Sequence, residues 1–457
     1  RYVDPELRYL FDNADLVAVA FDAAYAPHIA AVRDELPLLR HLIAFDDGSD
    51  PTAAAEIGAM PYEDAVAAGA PGRDFATRSP DDIVMIYTGG TTGMPKGVMW
   101  RHEDIFYALA GGIDPFTREP VRDEWEQSEK AAAAAGGLVF FNLPPLMHGA
   151  AFVASSMNLF QGNVSVLTPR FDPDEVWRTI AAERVNSVLI VGDAMGRPLI
   201  ETLDALETSG EELDLSSLLS VSSSAAVFSP AVKERFLDRF PDLVITDSIG
   251  ATESGFNGII TVGRGNTAMR GGGPTVSPGK DTAVLDDDLR PVEPGSGVVG
   301  RVARGGNIPL GYYKDEKKTA ETFVVDPDGR RWSIPGDFAT VEADGTITLL
   351  GRGSVCINTG GEKVYPEEVE QTLKAHPKVF DALVVGVSDE RWGQKVTAVV
   401  QPRDGEVPTL EELDAHCRSN IAGYKVPREL HLVPTIQRSP SGKPDYPWAK
   451  ALAERDR

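Results

Sequence analysis

Residues 87–98 read Tyr-Thr-Gly-Gly-Thr-Thr-Gly-Met-Pro-Lys-Gly-Val, a run in which hydroxyls, glycines and one lysine alternate. Glycine lets backbone amides approach an anion closely and threonine hydroxyls add donors, so this composition suits a cradle for a polyphosphate. The run follows the apolar stretch 83–86, Ile-Val-Met-Ile, which predicts a buried strand with the loop leaving its end. A Walker loop would instead carry Gly-Lys-Ser/Thr into a helix, with the hydroxyl on Mg²⁺. Here Lys96 lies between Pro95 and Gly97, and Pro95 lacks the amide that such a loop would use. Thr88, Gly89, Gly90, Thr91, Thr92, Gly93 and Lys96 are therefore the candidate phosphate-binding residues. A Gly/Thr-rich surface loop without a ligand is the disfavoured alternative.

Further segments carry candidate chemistry. Asp247-Ser-Ile-Gly-Ala-Thr-Glu253 sets a hydroxyl beside a carboxylate after a strand. Thr252 suits a phosphate oxygen and Glu253 suits Mg²⁺, while a helix N-terminus capped by Thr252 is the competing reading. In Trp332-Ser-Ile-Pro-Gly-Asp337 the aspartate could accept hydrogen bonds from a ribose diol, or be an ordinary turn residue. Gly351-Arg352 precedes Asn358-Thr-Gly-Gly-Glu-Lys-Val-Tyr-Pro-Glu-Glu-Val369, whose glycines permit a narrow passage beside the backbone. Near the carboxyl end, Ser439-Pro-Ser-Gly-Lys-Pro-Asp445 is a loop that holds Lys443.

The elements that must position these residues alternate helix and strand from the start. The pattern predicts a helix over 5–11, a strand over 16–21, a helix over 26–36 and a strand over 42–45, an α/β layer. Alternation continues to about residue 260. From 271 to 350 Gly, Pro and Asp turns separate short strands at 282–285, 300–303 and 346–350, which predicts an antiparallel, barrel-like piece. A smaller α+β unit follows, with a helix over 367–375 opened by Pro366 and a capping box, Thr409-Leu-Glu-Glu412, starting another. Strands are expected at 382–387 and 396–401. The fold class is α/β, with a core over 1–350 and a small mobile domain over 351–457.

Length and charge narrow the function. The 457 residues are enough for two to four domains, and 42% hydrophobic content supports substantial cores. A net charge of −25 argues against nucleic acid or an anionic membrane surface as partner. An anionic substrate stays open, because a local Lys/Arg cluster can hold one. Cys356 and Cys417 form no metal-binding spacing or disulfide framework, which fits a reducing cytoplasm. The most apolar stretch, 138–160, contains Asn142, Pro144, Pro145 and His148 and reads as strand, loop and helix rather than a membrane span. A homodimer is compatible with the sequence.

In this order and at these intervals, the segments resemble the adenylate-forming superfamily of acyl-CoA synthetases, amino-acid-adenylating domains and luciferases. The string Gly-Arg-Gly-Ser-Val-Cys-Ile-Asn-Thr-Gly-Gly-Glu-Lys is most similar to bacterial fatty-acyl and steroid-side-chain CoA synthetases. The resemblance implies ATP, Mg²⁺ and CoA, and a two-step reaction through an acyl-adenylate. It implies that residues 88–96 hold the β and γ phosphates. Thr252 would touch the α-phosphate, Glu253 bind Mg²⁺, and Asp337, with Arg352, take the ribose. Lys443 would reach the carboxylate and α-phosphate in the first step. Ser224, Ala225 and Ala226 would line the adenine beside Asp247, Ser248 and Ile249. Gly360 and Gly361 would flank the pantetheine tunnel. His148, Phe152, Met157 and Gly272 would lie along the acyl and CoA channel, with a structural loop histidine as the alternative for His148.

Three departures from that family pattern stand out. Ile249 occupies a position that is usually aromatic, so adenine would pack on an aliphatic face. Ser354-Val355 stands where a hinge Asp or Lys is common. Relatives also carry a further stretch before the residues that match Arg1-Tyr2, so the start is expected to be incomplete. Loading of a carrier-protein thiol, or a catalytically inactive nucleotide-binding fragment, are the alternatives to a CoA ligase.

Overall fold

The computed structural model describes residues 3–88, 94–109, 111–114, 117, 119–134, 136–263, 274–359, 362–389, 392–438 and 443–455, with the backbone alone at 352, 354 and 363. The chain divides into two units, one of residues 1–102 and 310–319, the other of 103–309 and 320–457.

The first unit opens with the helix Asp4–Asn13, which has Pro5 in its first turn, where a missing amide costs nothing. The Glu6 carboxylate accepts from the Val3 amide at 3.0 Å and closes that end. Strands Ala18–Asp22, His41–Phe45 and Met60–Pro61 form a parallel sheet. Its core joins Phe21 and Leu42 to Phe11, Ile29 and Val32 of the helices. A second sheet pairs Ile83–Thr88 antiparallel with Lys96–Arg101, which in turn pairs with Gly311–Tyr312. Ile83–Thr88 is a strand, but not the buried strand that its apolar run predicts. It is an edge strand of three, and Ile83 is 42% exposed. The buried residues are Val98 and Trp100 on the central strand.

The second unit is built on a 13-stranded sheet. Val164–Val166, Val139–Asn142, Ser187–Ile190, Ser220–Ser224 and Val244–Ala251 lie parallel in that order. Their faces are covered by amphipathic helices that include Pro173–Ala182, Gly192–Thr208 and Pro230–Arg239. Trp177, Leu199, Phe228 and Phe236 are buried together there, and the Trp177 indole donates to the Leu199 carbonyl at 2.8 Å. Gly255–Val262 then runs antiparallel to Val244–Ala251 and hands the sheet on to Thr275–Pro278, Ile347–Arg352 and Asp337–Val341. The turn-rich stretch is thus antiparallel, as expected, and hydrogen-bonded edge to edge with the parallel strands.

After 352 comes a five-stranded sheet dominated by the hairpin Val379–Asp389 and Gly393–Pro402. Alternation sends Val384, Val396, Ala398 and Val400 to one core and Leu383, Val385, Val387 and Val399 to another. Each fully buried Val or Leu contributes about 1.5–3 kcal/mol. The capping box forms as predicted: the Glu412 amide donates to Thr409 Oγ1 at 3.2 Å and the Thr409 amide to Glu412 Oε2 at 3.0 Å. The helices Pro366–Lys374 and Leu410–Arg418 pack on the first core and Tyr446–Glu454 on the second.

Candidate active site

In the first unit the Gly/Thr loop is a hairpin connection. Thr88 ends one strand, Lys96 begins the next, and the two are paired in register. A strand, not a helix, follows the lysine, which removes the Walker reading. Gly89, Gly90, Thr91, Thr92 and Gly93 lie outside the described residues. Lys96 is ion-paired with Asp315, whose carboxyl this contact holds below its ordinary value. Sequence reading gave no partner for Lys96, because Asp315 lies 219 residues away.

In the second unit, Thr252 and Glu253 sit in the tight turn between Val244–Ala251 and Gly255–Val262. That disposes of the capped-helix reading. Gly250 is required here, because a Cβ on it would meet the Gly255 carbonyl at 2.3 Å. The turn is tied to the 331–337 segment by Ser333 Oγ, which donates to the Glu253 carbonyl at 2.6 Å. Three residues after Ser333, the chain leaves Gly336 into the strand Asp337–Val341, where Asp337 pairs in register with Arg352. Two of the predicted ribose residues therefore face each other across one ladder rung.

His148 precedes the helix Gly149–Phe160, and a Cβ on Gly149 would lie 3.7 Å from Thr252 Oγ1. Burial lowers the His148 pKa, and the positive charge of Lys443 lowers it further, to about 4. The imidazole is thus neutral at pH 7, and its buried Nδ1 finds no hydrogen-bond partner among the described residues. The start of this helix thus lies beside Thr252, and the charge of Lys443 reaches the His148 ring. Phe152, one turn along the helix, is partly exposed. Gly272, Gly360 and Gly361 lie outside the described residues, as does the side chain of Arg352.

The loop after Ser220–Ser224 bends sharply at Ala225, which has φ of 69°. Its shape is fixed by residues that carried no motif. The Asp193 amide donates to the Val227 carbonyl and the Ser229 amide to Asp193 Oδ1, both at 2.8 Å. The Gly192 amide donates to Ser223 Oγ at 3.1 Å, and a Cβ on Gly192 would overlap the Val227 carbonyl. Ser248 Oγ donates to the Ser223 carbonyl at 3.3 Å. Ala226 packs on the main core, and Ile249 packs against Val276 and Val284 of the antiparallel part.

Asp247, expected beside the adenine, is 8% exposed inside its strand and ion-paired with Lys233, which is 2% exposed. Lys233 on Pro230–Arg239 was missed because a lysine on an amphipathic helix reads as solvent-facing. Mg²⁺ fits the donor set at Thr252 and Glu253, a hydroxyl and a half-buried carboxylate, both hard oxygen donors. Among the described residues no group of three His, Cys, Asp or Glu could cage a metal. An ion held here would share its coordination with phosphate oxygens.

Residues 1–313 match the family described as AMP-binding enzyme, and residues 368–443 match the AMP-binding enzyme C-terminal domain. A medium/long-chain-fatty-acid–CoA/3-oxocholest-4-en-26-oate–CoA ligase of Mycolicibacterium smegmatis is 55% identical over 99% of this chain and 82% of its own length. A 3-oxocholest-4-en-26-oate–CoA ligase of Rhodococcus rhodochrous is 56% identical over 98% of this chain and 80% of its own. The solved anthranilate CoA ligase AuaEII with anthranoyl-AMP shares the fold, with a TM-score of 0.79 at 22% identity, over 99% of this chain and 81% of that one. The turn, ladder and lysine described above thus lie in a chain that belongs to the AMP-binding enzyme family.

Proposed function

We propose that the chain is an ATP-dependent acyl-CoA synthetase for a hydrophobic carboxylic acid, a medium- or long-chain fatty acid or a steroid side-chain acid. The observation that carries this reading is the Thr252–Glu253 turn, tied through Ser333 to the segment that leads into the Asp337–Arg352 rung. The names of the relatives at 55% and 56% identity support the choice of acid and thiol.

A carboxylate oxygen of the acid attacks the α-phosphorus of ATP, the bond to the β-phosphate bridge breaks, and pyrophosphate leaves. The thiol sulfur of CoA then attacks the acyl carbon, the carbon–oxygen bond to phosphate breaks, and AMP leaves. Both steps build negative charge on phosphate oxygens, so fixed positive charge and hydrogen-bond donors do most of the work. Lys443 supplies that charge to the carboxylate and α-phosphate in the first step. Thr252 donates to the α-phosphate, and Asp337 accepts from the ribose hydroxyls with Arg352 beside it. Thr88 and Lys96 serve the outer phosphates, for which Lys96 exchanges Asp315 for phosphate oxygens. Mg²⁺, when bound, neutralises phosphate charge; Glu253 would hold it. Neutral His148 lines the acyl and CoA passage without adding charge to it.

In this reading residues 1–350 form the adenylating core, and 351–457 turn between the two steps to bring the 360–361 glycines to the pantetheine arm. The reaction belongs in the cytoplasm, where ATP and CoA are supplied, and a homodimer is compatible with it. Among the described residues no helix is long and apolar enough to cross a membrane. Incubation with ATP, Mg²⁺, CoA and a panel of fatty and steroid acids is expected to yield AMP, pyrophosphate and a CoA thioester. AMP without thioester for every acid, or acyl transfer only to a phosphopantetheinylated carrier protein, would overturn it.

A further inference from the structure

Lys443 is followed by Pro444, and Pro444 is bridged antiparallel to Arg438. Among the described residues, an isolated bridge therefore sets the two ends of the lysine-bearing segment side by side. One further contact at that base, from the Asp445 amide to the Gln437 carbonyl, is long at 3.4 Å. Strong fixation comes from the side chain of Arg438. Its Nε donates to Asp381 Oδ2 at 2.9 Å and its Nη2 to Asp381 Oδ1 at 2.8 Å, a two-pronged fork that sets both angle and distance.

Asp381 belongs to the hairpin strand Val379–Asp389, where Val379 and Ala382 are fully buried, so the fork ties the loop to the core hairpin. Lys374 Nζ lies 3.9 Å from Asp381 Oδ1, and Glu370 is buried one turn before Lys374, accepting from the Val384 amide. Burial acts to raise the Asp381 carboxyl, but Lys374 and Arg438 outweigh it and hold it below its ordinary value. The pair is charged and nearly dry, the condition in which such a fork is most directional. It also borders a cavity of about 200 Å³ whose far wall is Asp193 and Arg197, the base of the 225–229 loop.

We propose that Arg438 and Asp381 are positioning residues for Lys443, and that their bidentate pair sets the lysine at the height adenylate formation needs. The proposal rests on the assignment of Lys443 to the first half-reaction. A misplacement near 1 Å costs about 100-fold in rate.

The test is made on the full chain in both half-reactions. Arg438→Lys keeps the charge and removes the fork. Acid-dependent ATP–pyrophosphate exchange is expected to fall about 10- to 100-fold with the KM for ATP little changed. CoA thioester formation from preformed acyl-adenylate is expected to stay within about threefold of the parent. Added to Lys443→Ala, Arg438→Lys is expected to cost nothing further, because the lysine it places is gone. Asp381→Asn approaches the pair from the other side and is expected to give the same selective loss. Losses that multiply in the double variant, or that strike both half-reactions equally, overturn the proposal. So does exchange that is unchanged per folded molecule in both single variants. Full exchange in Lys443→Ala alone would remove the assignment of the lysine, and the proposal with it, while multiplying losses would remove the proposal only.

Discussion

Two buried ion pairs lie beneath candidate site residues, and they stand in opposite structural settings. Lys233–Asp247 lies on the strand that leads into the Thr252–Glu253 turn, hydrogen-bonded along both edges, to Ser220–Ser224 and to Gly255–Val262. Arg438–Asp381 lies at the base of the segment that carries Lys443, where Arg438 is bridged to Pro444. In the first, the sheet already determines geometry and the pair mostly bears on stability. In the second, the pair is proposed to set where Lys443 lies. The chemical types agree with this division. A lysine is a point charge that suits neutralisation, whereas an arginine fork suits orientation.

The largest effect expected from this contrast is on folding. Lys233→Ala leaves Asp247 buried and uncompensated, and urea unfolding should show a loss of about 3–5 kcal/mol. Replacing both by apolar residues of similar size, Lys233→Met with Asp247→Leu, should recover most of it. Recovery of stability without recovery of nucleotide affinity would mean that Asp247 touches ligand after all and would break the comparison. Next in size, Lys443→Ala should lower adenylate formation about 100- to 1,000-fold, with thioester formation from preformed adenylate nearly intact. Stopped assays of each half-reaction separate the two.

A pH experiment sharpens the picture of the ground next to Lys443. His148 has its pKa lowered from 6.5 to about 4 by burial and by Lys443. Between those values the unfolded chain takes up a proton that the native chain refuses. Native stability should therefore fall as pH drops from about 6.5 towards 4, by up to about 3 kcal/mol from this group. His148→Asn should flatten that part of a stability–pH curve measured by thermal unfolding. An unchanged slope would show that the imidazole is solvated in the native state. The smallest effect concerns the tail alone: Thr409→Ala removes a cap and should cost about 1 kcal/mol, with both half-reactions unchanged.

Local chemistry was legible in the sequence and long-range pairing was not. The capping box at Thr409, Pro366 at a first helical position and the antiparallel character of 271–350 follow from rules that act within a few residues. The apolar run before the Gly/Thr loop gave the strand, but its burial depended on the number of strands beside it, which no short window holds. For Thr252 a phosphate contact competed with a helix cap in the sequence, and Gly255, with φ of 70°, closes a hairpin there instead of opening a helix. Asp193, Lys233, Ser333, Asp381 and Arg438 gave no signal. Each matters through a partner brought near by the sheet, 14 residues away for Lys233 and 80 for Ser333. The ion pair of Asp247 was illegible for the same reason, since its partner lies on the helix Pro230–Arg239.

Ala225 holds a left-handed backbone, with φ of 69°. An alanine there costs about 1–2 kcal/mol over an ordinary conformation, a debt that Asp193 and Gly192 settle during folding. The bend is therefore held by the chain's own hydrogen bonds. Under the proposed function, a purine resting here would meet backbone whose shape the fold, rather than the ligand, has set.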